Sequence, residues 1–152
     1  TTVTGERLDG GKIPVSAAER CSHPVGTIDV RRHLDERGPR DLLVWLGLVR
    51  GGAEVSSNLV LFARPKHLEL GAPGITARST PEGDAWRVEL TSRRPALWAW
   101  IELEGADARC SDNFVNLRPG RPEAIRIELH DRMSPKEFRR RLRISSLVDT
   151  YA

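Results

Sequence analysis

No run of apolar residues here is long enough to cross a membrane, since a spanning helix needs about 20 in succession. Mean hydropathy is −0.41, in keeping with that. Lysine is scarce, with Lys12, Lys66 and Lys136 alone among the 24 basic residues. The net charge of +3 is therefore carried by arginine. Such a bias reflects a GC-rich genome as readily as a need for bidentate contacts, and the plainer reading is preferred. Cysteine is nearly missing too. Cys21 and Cys110 lie far apart with no metal-type spacing, each in an ordinary strand context, so both are expected as buried free thiols rather than a disulfide.

Chemistry-bearing motifs are missing as well. There is no nucleophile elbow, no zinc-protease histidine pair and no dinucleotide glycine fingerprint. The nearest thing to a phosphate loop, Gly5 to Lys12, has the wrong glycine spacing, and Ile13 stands where a hydroxyl would hold magnesium. It reads as a hairpin turn. His23, His33, His67 and His130 are scattered and are expected at the surface. Asp107, Asp112 and Asn113 lack the dense oxygen spacing of a calcium loop. No metal, cofactor or catalytic residue is therefore assigned, and Asp112 reads as a structural corner.

What the chain does have is a succession of short strands punctuated by Gly, Pro and Asp, with little at helical period. Strands are expected at Val3–Leu8, Ile13–Glu19, Gly26–Val30, Leu42–Val49 and Val55–Phe62, with turns at Asp9-Gly10-Gly11 and His23-Pro24. A second series covers Leu68–Leu70, Ile75–Ser79, Ala85–Thr91, Leu97–Glu104, Arg109–Phe114 and Ala124–His130. Trp86, Val88 and Leu90 alternate with Arg87, Glu89 and Thr91, as do Ile125, Ile127 and Leu129 with their polar neighbours. That is the pattern of antiparallel strands with one wet face. Leu42–Val49 is apolar on both faces and is expected to be covered on both. Arg64-Pro65-Lys66 reads as a link between two domains, because Pro65 cannot donate to a ladder. The exception to the strands is Ser134–Leu142. Ser134 is a capping residue, Pro135 suits the first helical position and Glu137 completes a capping box, with Phe138 and Leu142 as the anchoring face. Further apolar anchors, Ile144, Leu147, Val148 and Tyr151, follow in the tail.

Alternation sets Leu97, Ala99, Ile101 and Leu103 on one face and Trp98, Trp100, Glu102 and Glu104 on the other. If the aliphatic face is the core, the two tryptophans lie about 6.6 Å apart on the outer face. They could dock against a partner domain or stack on a sugar ring, and docking is preferred. Arg93 and Arg94 would help either role. The run Arg139, Arg140, Arg141 and Arg143 lacks an aromatic platform and reads as a solvated helix face partly used in salt bridges, not as a nucleic-acid surface.

Ser111 to Gly120, Ser-Asp-Asn-Phe-Val-Asn-Leu-Arg-Pro-Gly, is the most informative stretch. It reads as a strand edge, a polar corner and a turn inside a β-sandwich. Asp112 and Asn113 can bond the backbone two residues on, and Pro119-Gly120 fits the central pair of a type II turn. The stretch resembles the Ser-Asp-Asn-aromatic-Phe-Asp-Leu-x-Pro-Gly signature of the last immunoglobulin-like domain of β-mannosidases and their relatives in glycoside hydrolase family 2. Ser111, Asp112, Asn113, Phe114, Pro119 and Gly120 match it, while Val115 and Asn116 depart from the family's Phe and Asp. Asn58–Lys66, Leu68–Leu70, Pro73–Ile75, Pro95–Leu103 and the tail through Tyr151 resemble the family's neighbouring segments.

The resemblance implies an all-β fold: immunoglobulin-like antiparallel β-sandwiches with one short C-terminal helix. Residues 1–65 would be later strands of a preceding sandwich and residues 66–152 the last immunoglobulin-like domain. The start at Thr1, in what reads as mid-strand, points to a fragment or processed product, so a missing leader says little about location; the cytoplasm is favoured. The partner implied is the catalytic (β/α)₈ barrel of the same parent polypeptide, a retaining enzyme whose paired glutamates are not in this chain. Related exo-β-glucosaminidases share the domain plan, which leaves the parent's sugar open. The alternatives are a free-standing carbohydrate-binding module using Trp98 and Trp100 on an oligosaccharide and, less favoured, a basic nucleic-acid adaptor. No nucleic-acid or membrane partner is assigned.

Overall fold

The computed structural model describes residues 1–16, 19–22 and 24–151. The chain divides into two compact units, Thr1–Glu69 and a second beginning at Leu70. The division falls a few residues past Arg64-Pro65-Lys66, and Pro65–His67 itself forms a single 3-10 turn.

In the first unit the regular structure is one helix and one hairpin. Strand β1 (Leu43–Arg50) pairs antiparallel with β2 (Ala53–Leu61) through Gly51-Gly52. Both glycines have positive φ, 58° and 85°, as a two-residue type I′ loop demands. At the other end Thr2 bridges Leu42, and Val3, Leu42 and Leu43 are buried. The cover expected on both faces of Leu42–Val49 does not extend along the strand. Leu46, Leu48 and Val49 are exposed, as is Val55 opposite, because among the described residues β1 and β2 form a sheet of two strands.

The strands expected at Val3–Leu8 and Gly26–Val30 do not form, and the described residues of Ile13–Glu19 are not in a strand. Ala17, Ala18 and His23 lie outside the described residues, and with them part of the second strand and the His23-Pro24 turn. The physical reason is the lack of a neighbour. Ile13, Val15, Val25 and Ile28 stand exposed, and strand propensity needs cross-strand partners to act. A second helix, α1 (Arg31–Arg37), forms in addition to the one that the sequence reading expected at the C-terminal end. Asp29 Oδ1 accepts from the Arg31 N–H at 2.9 Å, Arg32 pairs with Glu36 at 2.8 Å, and the chain leaves at Gly38. The arginine holds the Glu36 carboxyl below its ordinary range by that hydrogen bond. These local signals were present in the sequence, diluted by the short span.

The second unit is a sandwich. Its elements are β3 (Thr76–Glu82), β4 (Ala85–Thr91), β5 (Ala96–Leu103), β6 (Ala108–Cys110), β7 (Val115–Leu117), β8 (Glu123–Leu129), helix α2 (Pro135–Arg141) and β9 (Leu142–Ser145). One sheet has the order β3-β4-β8-β6 and the other β7-β5-β9, every pair antiparallel. The expected period of two holds. Trp86, Val88 and Leu90 of β4 face inward beside Ile125 and Ile127 of β8, in the registers Trp86↔Ile127 and Val88↔Ile125. Ala99, Ile101 and Leu103 of β5 and Leu117 of β7 join the same core from the opposite sheet. This is the all-β, immunoglobulin-like sandwich that the sequence led us to expect. Pro81 sits on edge strand β3, where a missing donor is tolerated.

The helix forms where Ser134 and Pro135 place it. Ser134 Oγ accepts from the Glu137 N–H at 3.3 Å. The other half of the expected capping box is replaced: the Glu137 carboxylate bonds Arg141 at 2.7 Å. Phe138 is fully buried and stacks on Trp86, with centroids 4.1 Å apart and planes 8° apart. The tail read as a set of apolar anchors forms regular structure. Leu142–Ser145 adds as β9 to β5, and Ser146 then forms a capping box with Asp149 over a 3-10 turn. Of the basic run, Arg141 also bonds Gly105 O at 2.7 Å and Arg143 pairs with Glu104. The face is part solvated and part salt-bridged, as expected.

Candidate functional site

The signature residues sit where the chain crosses from one sheet to the other. The strand expected over Arg109–Phe114 is broken after Cys110, and Ser111–Phe114 carries the chain from β6 to β7. Ser111 N–H donates to Arg126 O at 2.8 Å, and its Oγ accepts from Arg126 N–H at 3.0 Å, so Ser111 extends the ladder to β8. Asn113 ties the same corner to the opposite sheet. Its Oδ1 accepts from Ile101 N–H at 2.8 Å, and its Nδ2 donates to Ile101 O at 3.1 Å. The amide thus stands in for a strand residue beside β5, where β7 has ended.

The bonds expected to the backbone two residues on go elsewhere. Asp112 Oδ1 accepts from the next N–H, Asn113, at 2.7 Å, and Asn113 Oδ1 also accepts from Phe114 N–H. The turn at Pro119-Gly120 is as read, with Arg121 N–H donating to Arg118 O at 3.1 Å and Gly120 at φ 75°. Gly120→Ala should therefore cost about 1–2 kcal/mol from the left-handed backbone alone. Urea unfolding followed by Trp fluorescence checks this, and an unchanged midpoint would contradict the turn.

On the outer face of the three-stranded sheet the tryptophans are not the flat pair that alternation predicts. The β5–β7 register shifts between Ala96 and Ala99, and Trp98 has φ 50°. Its N–H donates to Asn116 Oδ1 at 3.1 Å, which holds the bulge. The family's Asp at that position would offer the same acceptor. Trp98 is 41% exposed, whereas Trp100 is half-buried and stacks on Phe114, 5.8 Å between centroids. Trp100 Nε1–H donates to Glu102 at 3.2 Å. Phe114 is 62% exposed and also has positive φ, 59°. The sequence reading gave Phe114 and Asn116 only a structural place. An aromatic directly after an Asx corner was the available signal, because such a corner tolerates the left-handed region.

Arg93 and Arg94 lie in the β4–β5 connection, both exposed, and both N–H groups donate to Pro73 O, at 3.0 and 3.1 Å. A groove of about 570 Å³ opens on the far side of β5, lined by Ile101, Leu103, Asp107, Arg109, Cys110 and Asn113 among others. Cys110 is half-buried there, while Cys21 is exposed and outside any strand, which corrects the expectation of two buried thiols. Burial pushes the Cys110 thiol up, so less of it is thiolate at mildly alkaline pH. Cys21 should therefore label first with a disulfide reagent at about pH 8, where a free thiol is near its ordinary pKa. Equal labelling rates in the folded chain would contradict the groove.

The described histidines are not gathered: His33 lies 4.0 Å from Asp9, and His67 and His130 are exposed. Among the described residues no cluster of His, Cys, Asp or Glu is placed to hold a metal.

Residues 70–150 match the Ig_mannosidase family, an Ig-fold domain, and residues 1–67 match the Mannosidase_ig family, a mannosidase Ig/CBM-like domain. No curated protein sequence matches the chain. Among solved structures, a β-D-mannosidase from Dictyoglomus thermophilum is similar at 25% identity and TM-score 0.63. The similarity covers 72% of this chain and only 13% of that enzyme. The chain belongs to the immunoglobulin-like accessory region of β-mannosidase-like enzymes of glycoside hydrolase family 2.

Proposed function

We propose that this chain is a non-catalytic module that packs against the catalytic (β/α)₈ barrel of a retaining glycosidase acting on terminal β-mannosides. Trp98 and Phe114 are its anchors. The observation that carries this reading is that both exposed aromatics are held in left-handed backbone. A bulky residue there costs about 1–2 kcal/mol, and such strain gathers at binding sites. Stability alone gives no reason to keep Phe114. Its stacking on Trp100 contributes about 0.5–1.5 kcal/mol, which the backbone strain offsets.

The same geometry favours docking over the carbohydrate-binding alternative, because one face of Trp100 is already taken by Phe114. We propose further that residues 1–65 belong to a sandwich completed by strands of the parent polypeptide, since the β1–β2 hairpin leaves apolar side chains exposed.

The test uses the full parent polypeptide. It should hydrolyse aryl β-mannosides, whereas the 152-residue chain should not. Phe114→Asn should leave unfolding of the isolated chain within about 1 kcal/mol of wild type, by the offset above. In the parent, Trp98→Ala with Phe114→Asn should remove at least about 2 kcal/mol of docking energy, read as a lower inactivation temperature. An unchanged inactivation temperature would reject the docking face. A Trp fluorescence shift with millimolar manno-oligosaccharide would instead favour sugar binding.

A further inference from the structure

The strand register gathers arginines at one end of the sandwich. Ala96 of β5 is opposite Leu117 of β7. Continuing that antiparallel register sets Arg118 beside Pro95 and the Arg93–Arg94 step. Trp98, one rung inward, is tied to Asn116 of β7. The end is thus continuous with the aromatic face. Among the described residues no carboxylate pairs with Arg93, Arg94 or Arg118, and the hydrogen bonds these three make are of the backbone alone. The salt-bridged arginines of this unit, Arg126, Arg132, Arg141 and Arg143, are different ones.

The two leading arginines are also seated. A Cβ added at Gly71 would meet Arg94 Nη1 at 2.7 Å, and one at Gly74 would meet the Arg93 stem at 3.3 Å. The Arg94 guanidinium and the Arg93 stem therefore lie over glycines, and the backbone under them converges on the Pro73 carbonyl. Long side chains that already rest against the surface lose less freedom when a partner arrives. Interface cores favour Trp and Arg together, and an arginine fork fits a carboxylate in two places at once.

We infer that Arg93, Arg94 and Arg118 form an electrostatic docking edge for a carboxylate-bearing surface of the parent polypeptide, adjoining the Trp98 anchor. This rests on the docking reading above and adds the chemistry of the partner. The partner presents Asp or Glu side chains opposite the three arginines and an apolar recess opposite Trp98.

Calorimetry of the full parent polypeptide, from about 0.01 M to about 1 M NaCl, tests it, since screening length falls there from about 30 Å to about 3 Å. The unfolding midpoint of the wild type should fall with salt. Arg93→Glu with Arg94→Glu should lower the low-salt midpoint by about 4–8 °C, the shift that one kcal/mol produces in a domain of about 60–100 residues, and should flatten the salt slope. Gly71→Ala, which keeps the charge but displaces Arg94, should do the same in smaller measure. The isolated chain carrying the double reversal should unfold as wild type does, because both side chains are exposed.

An unchanged midpoint and slope in the double reversal would overturn the inference, as would an equal loss in the isolated chain. Loss of aryl β-mannosidase activity from the wild-type parent would reject the functional reading instead, and the calorimetric comparison would still decide the docking edge.

Discussion

Phe138→Ala should cost the sandwich about 3–5 kcal/mol, the usual penalty for truncating a buried aromatic. A domain of this kind is stable by only about 5–15 kcal/mol, so the variant should populate its unfolded state under mild conditions. The magnitude follows from position. Phe138 is fully buried on a helix of seven residues, too short to persist by itself. The stacked contact with Trp86 is what fixes that helix over the core. Removing the ring leaves a cavity against Trp86 and frees α2 together with β9, which follows it directly. Urea titration followed by Trp fluorescence reads both effects. A loss below about 1 kcal/mol, typical of a surface change, would show that Phe138 is not part of the core.

Asn113→Ala should be the second most damaging substitution, at roughly 2–4 kcal/mol, because a buried backbone group left without its partner costs about 1–3 kcal/mol. The Asn113 amide satisfies both the N–H and the C=O of Ile101, a residue only 4% exposed. Asn113→Asp separates the two bonds. A carboxylate still accepts from Ile101 N–H but cannot donate to Ile101 O, and it sets one acceptor against another. Its midpoint should therefore lie below wild type at neutral pH. If Asn113→Asp matched wild type in urea unfolding, the donor half of this contact would carry no weight. Ser111 anchors the same corner to the other sheet, so loosening Asn113 also loosens the crossing between sheets.

Much of the second unit was legible because its code is local. Trp86-Arg87-Val88-Glu89-Leu90 alternates cleanly, and the structure places those side chains as written. Ser134-Pro135 likewise fixes the start of α2 within the chain's own neighbourhood. What the sequence hid was set by distant partners. The left-handed Trp98 depends on an acceptor at Asn116, 18 residues later. Strand β9 exists because Trp100 to Leu103 offered it an edge. In the first unit the opposite error arose: Ile13, Val15, Val25 and Ile28 carry strand propensity, yet they stay exposed and join no strand. The aromatic face was half visible. Alternation gave Trp98 and Trp100 correctly as outward-facing, but it could not show that Phe114 would fold back over Trp100.

The β1–β2 hairpin carries a consequence for the chain in solution. Among the described residues each of its strands has one side without a strand neighbour, and Leu46, Leu48, Val49 and Val55 lie exposed along it. A strand of that kind is a template for another copy of itself. Concentrated preparations of the isolated chain should therefore self-associate edge to edge through this hairpin. Association should begin there and not at the sandwich, whose outer strands are short or interrupted by proline.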